Sequence, residues 1–324
     1  MKLMQNTSFP SKRVRVIVNT DAKNEADDQY AIVHAILTPM FELHGIIPAH
    51  FGERISKTSQ QDSQDEVLKI LDLMKLTGQI PVPAGAPTAL PDEKTPVDSP
   101  GARFIIEESL KDDSRPLHVA FLGPLTDMAS ALLLEPSIAD RGVRVVWIGG
   151  GEWPGGGFEY NLWNDVHSAN VVFRSKVEVW QIPSRIYKVL PVSYAELVEK
   201  VYDKGPLGKY LVEQLIAWNN GALTDRYPWH ILEGIEHRSL GDSPAIGVMM
   251  YPESGWSEWR PAPEFNSEMN YVHSGKYRPI KVYTSVDTRF ILEDFFAKLA
   301  IFTRMRDGKE LPSVEGLDII TRYD

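Results

Sequence analysis

Short apolar runs alternate with amphipathic stretches along most of the chain. "RVRVIVNT" (Arg13–Thr20) is short and β-branched, which predicts a buried strand. Asp27–Leu37 puts Ala31, Ile32, Ala35 and Ile36 on one side of a helix that Pro39 stops. "FELHGIIPAHFG" (Phe41–Gly52) predicts a second strand, Asp62–Leu76 a helix, "PVPAG" (Pro81–Gly85) a third strand or a turn, and Gly101–Lys111 a helix. "LHVAFLG" (Leu117–Gly123) and "LTDMASALLL" (Leu125–Leu134) form the next strand and helix. "VRVVWIGGG" (Val143–Gly151) is a strand running into glycines, Ala169–Phe173 begins a helix, and "KVEVWQI" (Lys176–Ile182) is another strand. This alternation predicts an α/β fold: an open, mostly parallel sheet flanked by helices. Beyond Ile182 the pattern is more helical and carries Trp218, Trp229, Trp256 and Trp259. "RPIKVYTSVD" (Arg278–Asp287) and "RFILEDFFAKLAIF" (Arg289–Phe302) then return to a strand and an amphipathic helix. No repeat or low-complexity linker divides the chain, so residues 1–324 read as one domain.

One stretch breaks the rhythm. The apolar "VIVNT" runs into "DAKNEADD", which gathers Asp21, Glu25, Asp27 and Asp28. Ligands of open α/β sheets bind beyond the carboxyl ends of the strands, and Asp21 follows such an end. Acidic residues at a helix N-terminus contribute about 0.3–1 kcal/mol each, which accounts for one or two of the four. Crowded carboxylates raise one another's pKa unless a cation balances them. A hard divalent cation with oxygen ligands, calcium or magnesium, is the natural partner. Phosphoryl transfer to a strand-end aspartate would need its nucleophile where Asn19 stands. Hydrolysis by a metal-bound water, with a neighbouring aspartate taking the proton, fits better.

Composition narrows the partners. A chain of 324 residues, 43% hydrophobic and 24% charged, can bury a sizeable core without staples. Its formal charge of −10 argues against a nucleic-acid or polybasic membrane partner and fits a neutral or cationic small molecule or a metal ion. The 0 cysteines exclude disulfides, thiolate zinc and cysteine nucleophiles. "MKLMQNTSFPSKRVRV" has no apolar leader, and no run reaches the roughly 20 apolar residues of a membrane span, so a cytoplasmic address is expected.

The acidic stretch resembles the opening of the nucleoside hydrolase family, a strand followed by DxDxxxDD. Asn19, Asp21, Asp27 and Asp28 match its positions, with a loop two residues longer. The loop is similar to a variant branch with GNExDD, with Lys23 in place of the glycine. "FLGPLTDMASALLLEP" (Phe121–Pro136), "VVWIGGGEWPGGGFEYNLWNDVHSANVVF" (Val145–Phe173) and "GDSPAIGVM" (Gly241–Met249) resemble three further family segments in order, and "VDTRFILEDFF" resembles its last strand and helix. The resemblance spans residues 13–300 and implies a Rossmann-like core, a calcium site and cleavage of the N-glycosidic bond of a ribonucleoside or related riboside. It implies that Asp21 binds calcium and deprotonates its water. Asp28, Asp242 and the backbone carbonyl of Thr126 would complete the metal site, magnesium being the second choice. Asp27, Glu159 and Asn161 would bind the ribose hydroxyls, and the chain would form a homo-oligomer, dimer or tetramer. Read without the family, Asp242 caps a helix in "GDSPA" and Thr126 starts one.

The departures fall mostly on one side. Asn19 stands where the family has its first aspartate, Glu53 where it has Gly-Asn, and Ile148 replaces a methionine. Gly241 replaces the histidine that protonates the leaving base in one branch. The sugar and metal half is retained and the base half is not. His50 and His230 are candidate acids, and Trp229 leads the candidate stacking residues, with Trp153, Trp163, Trp256 and Trp259. Asn24 and Glu25, with Lys23, belong at the mouth of the site. Hydrolysis of an N-riboside is the leading expectation. A catalytically silent ribose- or sugar-binding protein and a hydrolase of another glycoside are the alternatives.

Overall fold

The structure, a computed structural model, describes residues 13–221, 236–253 and 255–309. In chain order it runs β1 (Val14–Thr20), α1 (Asp28–Ile36), β2 (Phe41–Pro48), α2 (Ser59–Leu73), α3 (Pro100–Leu110), β3 (Leu117–Phe121), α4 (Thr126–Leu134) and β4 (Val143–Ile148). Then follow α5 (Tyr160–Asn164), α6 (Val166–Arg174), β5 (Glu178–Ile182), α7 (Ser184–Tyr187), β6 (Pro191–Ser193), α8 (Tyr194–Leu197) and α9 (Gly205–Asn219). The described chain ends with β7 (His237–Ser239), α10 (Ser243–Met250), β8 (Ser257–Pro261), β9 (Glu264–Phe265), β10 (Tyr271–Val272), β11 (Pro279–Tyr283) and α11 (Thr288–Arg306).

A seven-stranded sheet in the order β2-β1-β3-β4-β5-β11-β8 forms the centre. Only β8 at one edge runs antiparallel, against β11. The strand period of two explains why both faces are apolar. Val16 and Val18 pack under α1, α2, α9, α10 and α11, whereas Ile17 between them packs under α3, α4 and α6. The elements expected from periodicity are present, with ends moved by a few residues. "PVPAG" is an irregular turn: its Pro81 carbonyl accepts from Ile46 N–H and its Gly85 N–H donates to the Pro48 carbonyl. The short elements escape the periodicity. The five-residue α5 is too short to show a helical pattern, and Trp256 and Trp259 belong to the exposed β8 edge rather than to a helix. Trp229 and His230 lie outside the described residues. Among the described residues, no helix is long and apolar enough to cross a membrane.

The α3/α4/α6 side of the core centres on an aromatic group. Phe173 is fully buried, with ring centroids 5.5 Å from Trp147 and 4.8 Å from Phe265 in edge-on contacts. Phe173→Ala is expected to lower unfolding free energy by about 3–5 kcal/mol in urea titrations, with an unchanged m-value.

Candidate active site

Between β1 and β3 the connections part to opposite faces: β1 leads to α1 and β3 to α4. Such a switch point leaves a crevice beyond the strand ends. The chain leaves β1 at Asp21 and β3 at Leu122, and both line a cavity of about 310 Å³. Gly123 permits the close approach of the two ends. A Cβ there would lie 2.8 Å from Asp21 Cγ.

Asp27 and Asp28 reach the cavity from the start of α1, and Asp242 from the turn before α10. Asp27 and Asp242 occupy helix N-cap positions, yet neither side chain makes a capping hydrogen bond. Asp27 Oδ2 instead accepts from Gly241 N–H at 2.8 Å, and the Thr20 hydroxyl donates to Asp28. One carboxylate oxygen from each of Asp27, Asp28 and Asp242 lies within 4.8 Å of the others, a group that could hold a metal ion. Asp21 stands beside them, its Oδ2 accepting from the Asn24 amide at 3.1 Å. Burial, reinforced by the neighbouring carboxylates, pushes Asp21 and Asp242 well above the usual carboxylate range. Burial and Asp27 push Asp28 to about 7. Burial pushes Asp27 to about 6, although Arg238 pulls it down. Asp28 and Asp242 face each other, so each raises the cost of ionising the other when no cation is bound. All these donors are oxygen, the chemistry of a hard divalent cation.

The far wall comes from the β4 loop. Gly150, at φ +84°, turns its N–H to Glu159 Oε2 at 2.8 Å. Glu159 caps α5 by accepting from the N–H groups of Asn161 and Leu162, and Tyr187 donates its hydroxyl to it at 2.9 Å. Asn161 Nδ2 donates to the carbonyls of Leu122 (2.7 Å) and Ile148 (2.8 Å), clamping the ends of β3 and β4.

The inosine-uridine preferring nucleoside hydrolase profile matches residues 16–290. The chain belongs to this family. It is a hydrolase of N-glycosyl bonds. Uridine nucleosidase 1 of Arabidopsis thaliana is 25% identical over 276 residues, 77% of this chain and 78% of that protein. The pyrimidine-specific ribonucleoside hydrolase RihA of Salmonella schwarzengrund (strain CVM19633) is 26% identical over 189 residues. That match covers 51% of this chain and 58% of the bacterial protein. A purine-preferring ribonucleoside hydrolase from Gardnerella vaginalis shares the fold, with a TM-score of 0.71 at 20% identity over 90% of this chain and 99% of that one.

In this nucleoside hydrolase, Asp21, Asp27, Asp28, Glu159, Asn161 and Asp242 converge on one cavity. Thr126 does not line it. Its hydroxyl donates to Asp165 Oδ2 at 2.7 Å and pairs with His50 Nε2 at 2.9 Å, while Leu122 reaches the cavity wall from the end of β3. His50 Nδ1 accepts from Gly52 N–H, so Nε2 carries the proton and donates to Thr126. Burial lowers the His50 pKa to about 4, and the ring stands behind Thr126 rather than on the cavity. Glu53 is exposed on a separate cavity with Trp163, against whose ring the Arg54 guanidinium stacks at 3.5 Å. Trp153 is tied to Gln181 at 2.9 Å. Among the described residues, the aromatic rings that line the site are Tyr160 and Tyr187. Neither was singled out in the sequence, because "FEYN" and "SRIY" have no periodic signal.

The longer acidic loop divides its side chains. Asn24 and Glu25 line the cavity, but Lys23 turns to Glu66 of α2 at 2.8 Å. Glu25 pairs with Arg238, whose guanidinium lies 3.9 Å over the Trp218 ring. At Asn19, where an amide cannot accept as a carboxylate would, the amide nitrogen is bonded and the buried Oδ1 has no hydrogen-bond partner among the described residues. Asn19 Nδ2 donates to Asp127 Oδ2 at 2.8 Å, and Asp127 Oδ1 accepts from Ala86 N–H and the Ser99 hydroxyl. The acid of this pair stands at position 127, where the family segment that "GPLTDMASAL" resembles, GPLTNxAxAL, has Asn.

That exchange is directly testable. Asn19→Asp or Asp127→Asn alone should cost about 1–3 kcal/mol by leaving a buried polar atom unmatched. The double substitution restores a carboxylate–amide pair and should recover most of the loss in chemical denaturation. A second expectation concerns pH. The folded-state pKa values of Asp27 (about 6) and Asp28 (about 7) lie above the carboxylate's ordinary value, so the metal-free protein is favoured at low pH. That advantage is lost as pH rises from the unfolded value through 6 to 7. A divalent cation competes with the same protons, so the calcium-induced rise in Tm should be larger at pH 8 than at pH 5. An equal shift at both pH values would rule out these carboxylates as the ligands.

Proposed function

We propose that this chain hydrolyses the N-glycosidic bond of a ribonucleoside or related N-riboside with the help of a divalent cation, calcium in first place. The observation that carries this reading is the convergence of Asp21, Asp27, Asp28 and Asp242, each less than a tenth exposed, at the switch between β1 and β3. The cation would be held by Asp28 and Asp242 with Asp21 or Asp27, and by the carbonyl of Leu122 rather than that of Thr126. When bound, such an ion supplies Lewis acidity, lowering the pKa of a water and anchoring vicinal hydroxyls.

The chain's own residues supply the rest. Asp21, held by the Asn24 amide, takes the proton of the attacking water. Asp27, fixed by Gly241 N–H, remains available to ribose hydroxyls at the mouth of α1. Glu159 and Asn161 form the opposite wall and bind the other side of the sugar. The anionic lining stabilises an oxocarbenium-like transition state, whose charge develops at C1′. A single functional domain, a cytoplasmic address and assembly into dimers or tetramers complete the proposal.

The decisive substrate is p-nitrophenyl riboside, whose leaving group needs no acid. Calcium-dependent release of p-nitrophenol is expected, and Asp21→Ala should lower kcat by about 10²–10⁴-fold. Full turnover by Asp21→Ala would overturn the assignment of the base. Tight ribose binding without any release of p-nitrophenol would overturn the proposed reaction.

A further inference from the structure

We propose that Glu66 of α2, a residue outside the cavity, positions Asp21 for proton transfer by holding the turn that Asp21 begins. This role rests on the reading of Asp21 as the base that deprotonates the attacking water, and it names a residue on which that base depends.

The turn is closed by Asn24 N–H, which donates to the Asp21 carbonyl at 2.7 Å. Its end residues, Asp21 and Asn24, line the cavity, where the Asn24 amide also donates to Asp21 Oδ2 at 3.1 Å. Its central residues, Ala22 and Lys23, are held from behind. The Ala22 carbonyl accepts from Gln29 Nε2 at 2.7 Å, and Lys23 Nζ reaches Glu66 Oε2 at 2.8 Å. A closed turn moves as a unit, so whatever fixes its centre also fixes the direction of Asp21.

Both holds end on Glu66. Gln29 Nε2 gives its second hydrogen to Glu66 Oε1 at 3.2 Å. The same Oε1 accepts the hydroxyl of Tyr210 from α9. Glu66 and Gln29 are buried, so these bonds do not compete with bulk water. One carboxylate thus ties α2, the start of α1, α9 and the acidic loop together.

Stability alone does not account for a charge at this place. Glu66 lies in the middle of α2, away from the ends where a carboxylate would cap the helix or meet its dipole. Its neighbours Val67, Ile70 and Leu71 join α2 to the core by apolar contact. An apolar residue at position 66 would extend that contact, and replacing a buried ion pair by packed apolar side chains is often neutral or stabilising. What an apolar side chain cannot supply is a fixed acceptor for both Gln29 and Lys23. The sugar-facing residues are anchored elsewhere, Asp27 by Gly241 N–H and Glu159 by Gly150 N–H. Loss of Glu66 therefore acts on the reaction step and leaves sugar binding in place.

A double-mutant cycle between positions 66 and 21 tests this, with p-nitrophenyl riboside at saturating calcium. Glu66→Gln keeps the size of the side chain and removes the charge that holds Lys23. It should lower kcat by about 10-fold, and Glu66→Leu by about 100-fold, the scale of a reacting group misplaced by roughly 1 Å. KM should stay within about twofold in both. In the Asp21→Ala background the same substitutions should cost less than about twofold, because no base is left to misplace. Lys23→Met combined with Glu66→Leu separates geometry from folding: Tm should recover towards that of the unaltered protein while kcat stays low. Where Glu66→Leu does not fold, Glu66→Gln carries the cycle. Unchanged kcat in Glu66→Gln would overturn the proposal. So would an equal loss with and without Asp21, or recovery of kcat together with Tm in the doubly apolar variant. Full turnover by Asp21→Ala itself would overturn the underlying reading of the base instead.

Discussion

Everything around the site answers to one cost: carboxylates of like charge are buried against each other at the ends of two strands. Burying a lone ionised carboxylate is prohibitive, and burying several together adds repulsion to desolvation. The described residues do not neutralise the group from within. Arg238 is the nearby buried cation, and it is paired to Glu25. The fold tolerates the cost by offering donors one at a time, Thr20 to Asp28, Asn24 to Asp21 and Gly241 N–H to Asp27. Cation binding would remove the remaining repulsion, which couples ligand binding to stability.

Around these carboxylates lies a layer whose work is positioning. Asp127 holds Asn19 below the cavity, and its other oxygen gathers Ala86 N–H and the Ser99 hydroxyl. Asp165 holds Thr126 and, through it, His50. Glu159 collects three backbone N–H groups and a tyrosine hydroxyl, a set of bonds that keeps a buried acid ordered. Polar residues in this layer look like ligands in sequence, yet several are engaged with the protein itself. The exchange of acid and amide between positions 19 and 127 shows that a hydrogen bond can be kept while its donor and acceptor trade places.

The base half follows a different logic. Tyr187, in the short α7 after β5, packs against Gly241 before α10, so residues about fifty positions apart share one wall. The same region carries Glu25 and Arg238, an ion pair between the acidic loop and β7. This side of the cavity is therefore built from three segments that are far apart in sequence.

The strands, the main helices and the acidic strand end were legible because each rests on local physics. Period-two burial marks a strand between two helical layers, and period 3.6 marks the helices that cover it. Asp21 could be placed beyond β1 because a parallel strand must deliver its next residue there. Family motifs singled out Asp28, Asp242, Glu159 and Asn161, residues that line one cavity in the structure. What the sequence could not decide was direction. Thr126 and Leu122 lie four residues apart near the end of one strand, and only the packed turn puts Leu122 on the cavity and Thr126 against Asp165. His50 and Lys23 were equally plausible at the mouth until His50 turned to Thr126 and Lys23 to Glu66. Tyr187 gave no local signal, because its place is defined by Gly241 and Glu159 rather than by its neighbours in the chain. Local patterns determine which element a residue joins; which way its side chain faces, and whom it meets across the sheet, is decided by long-range packing.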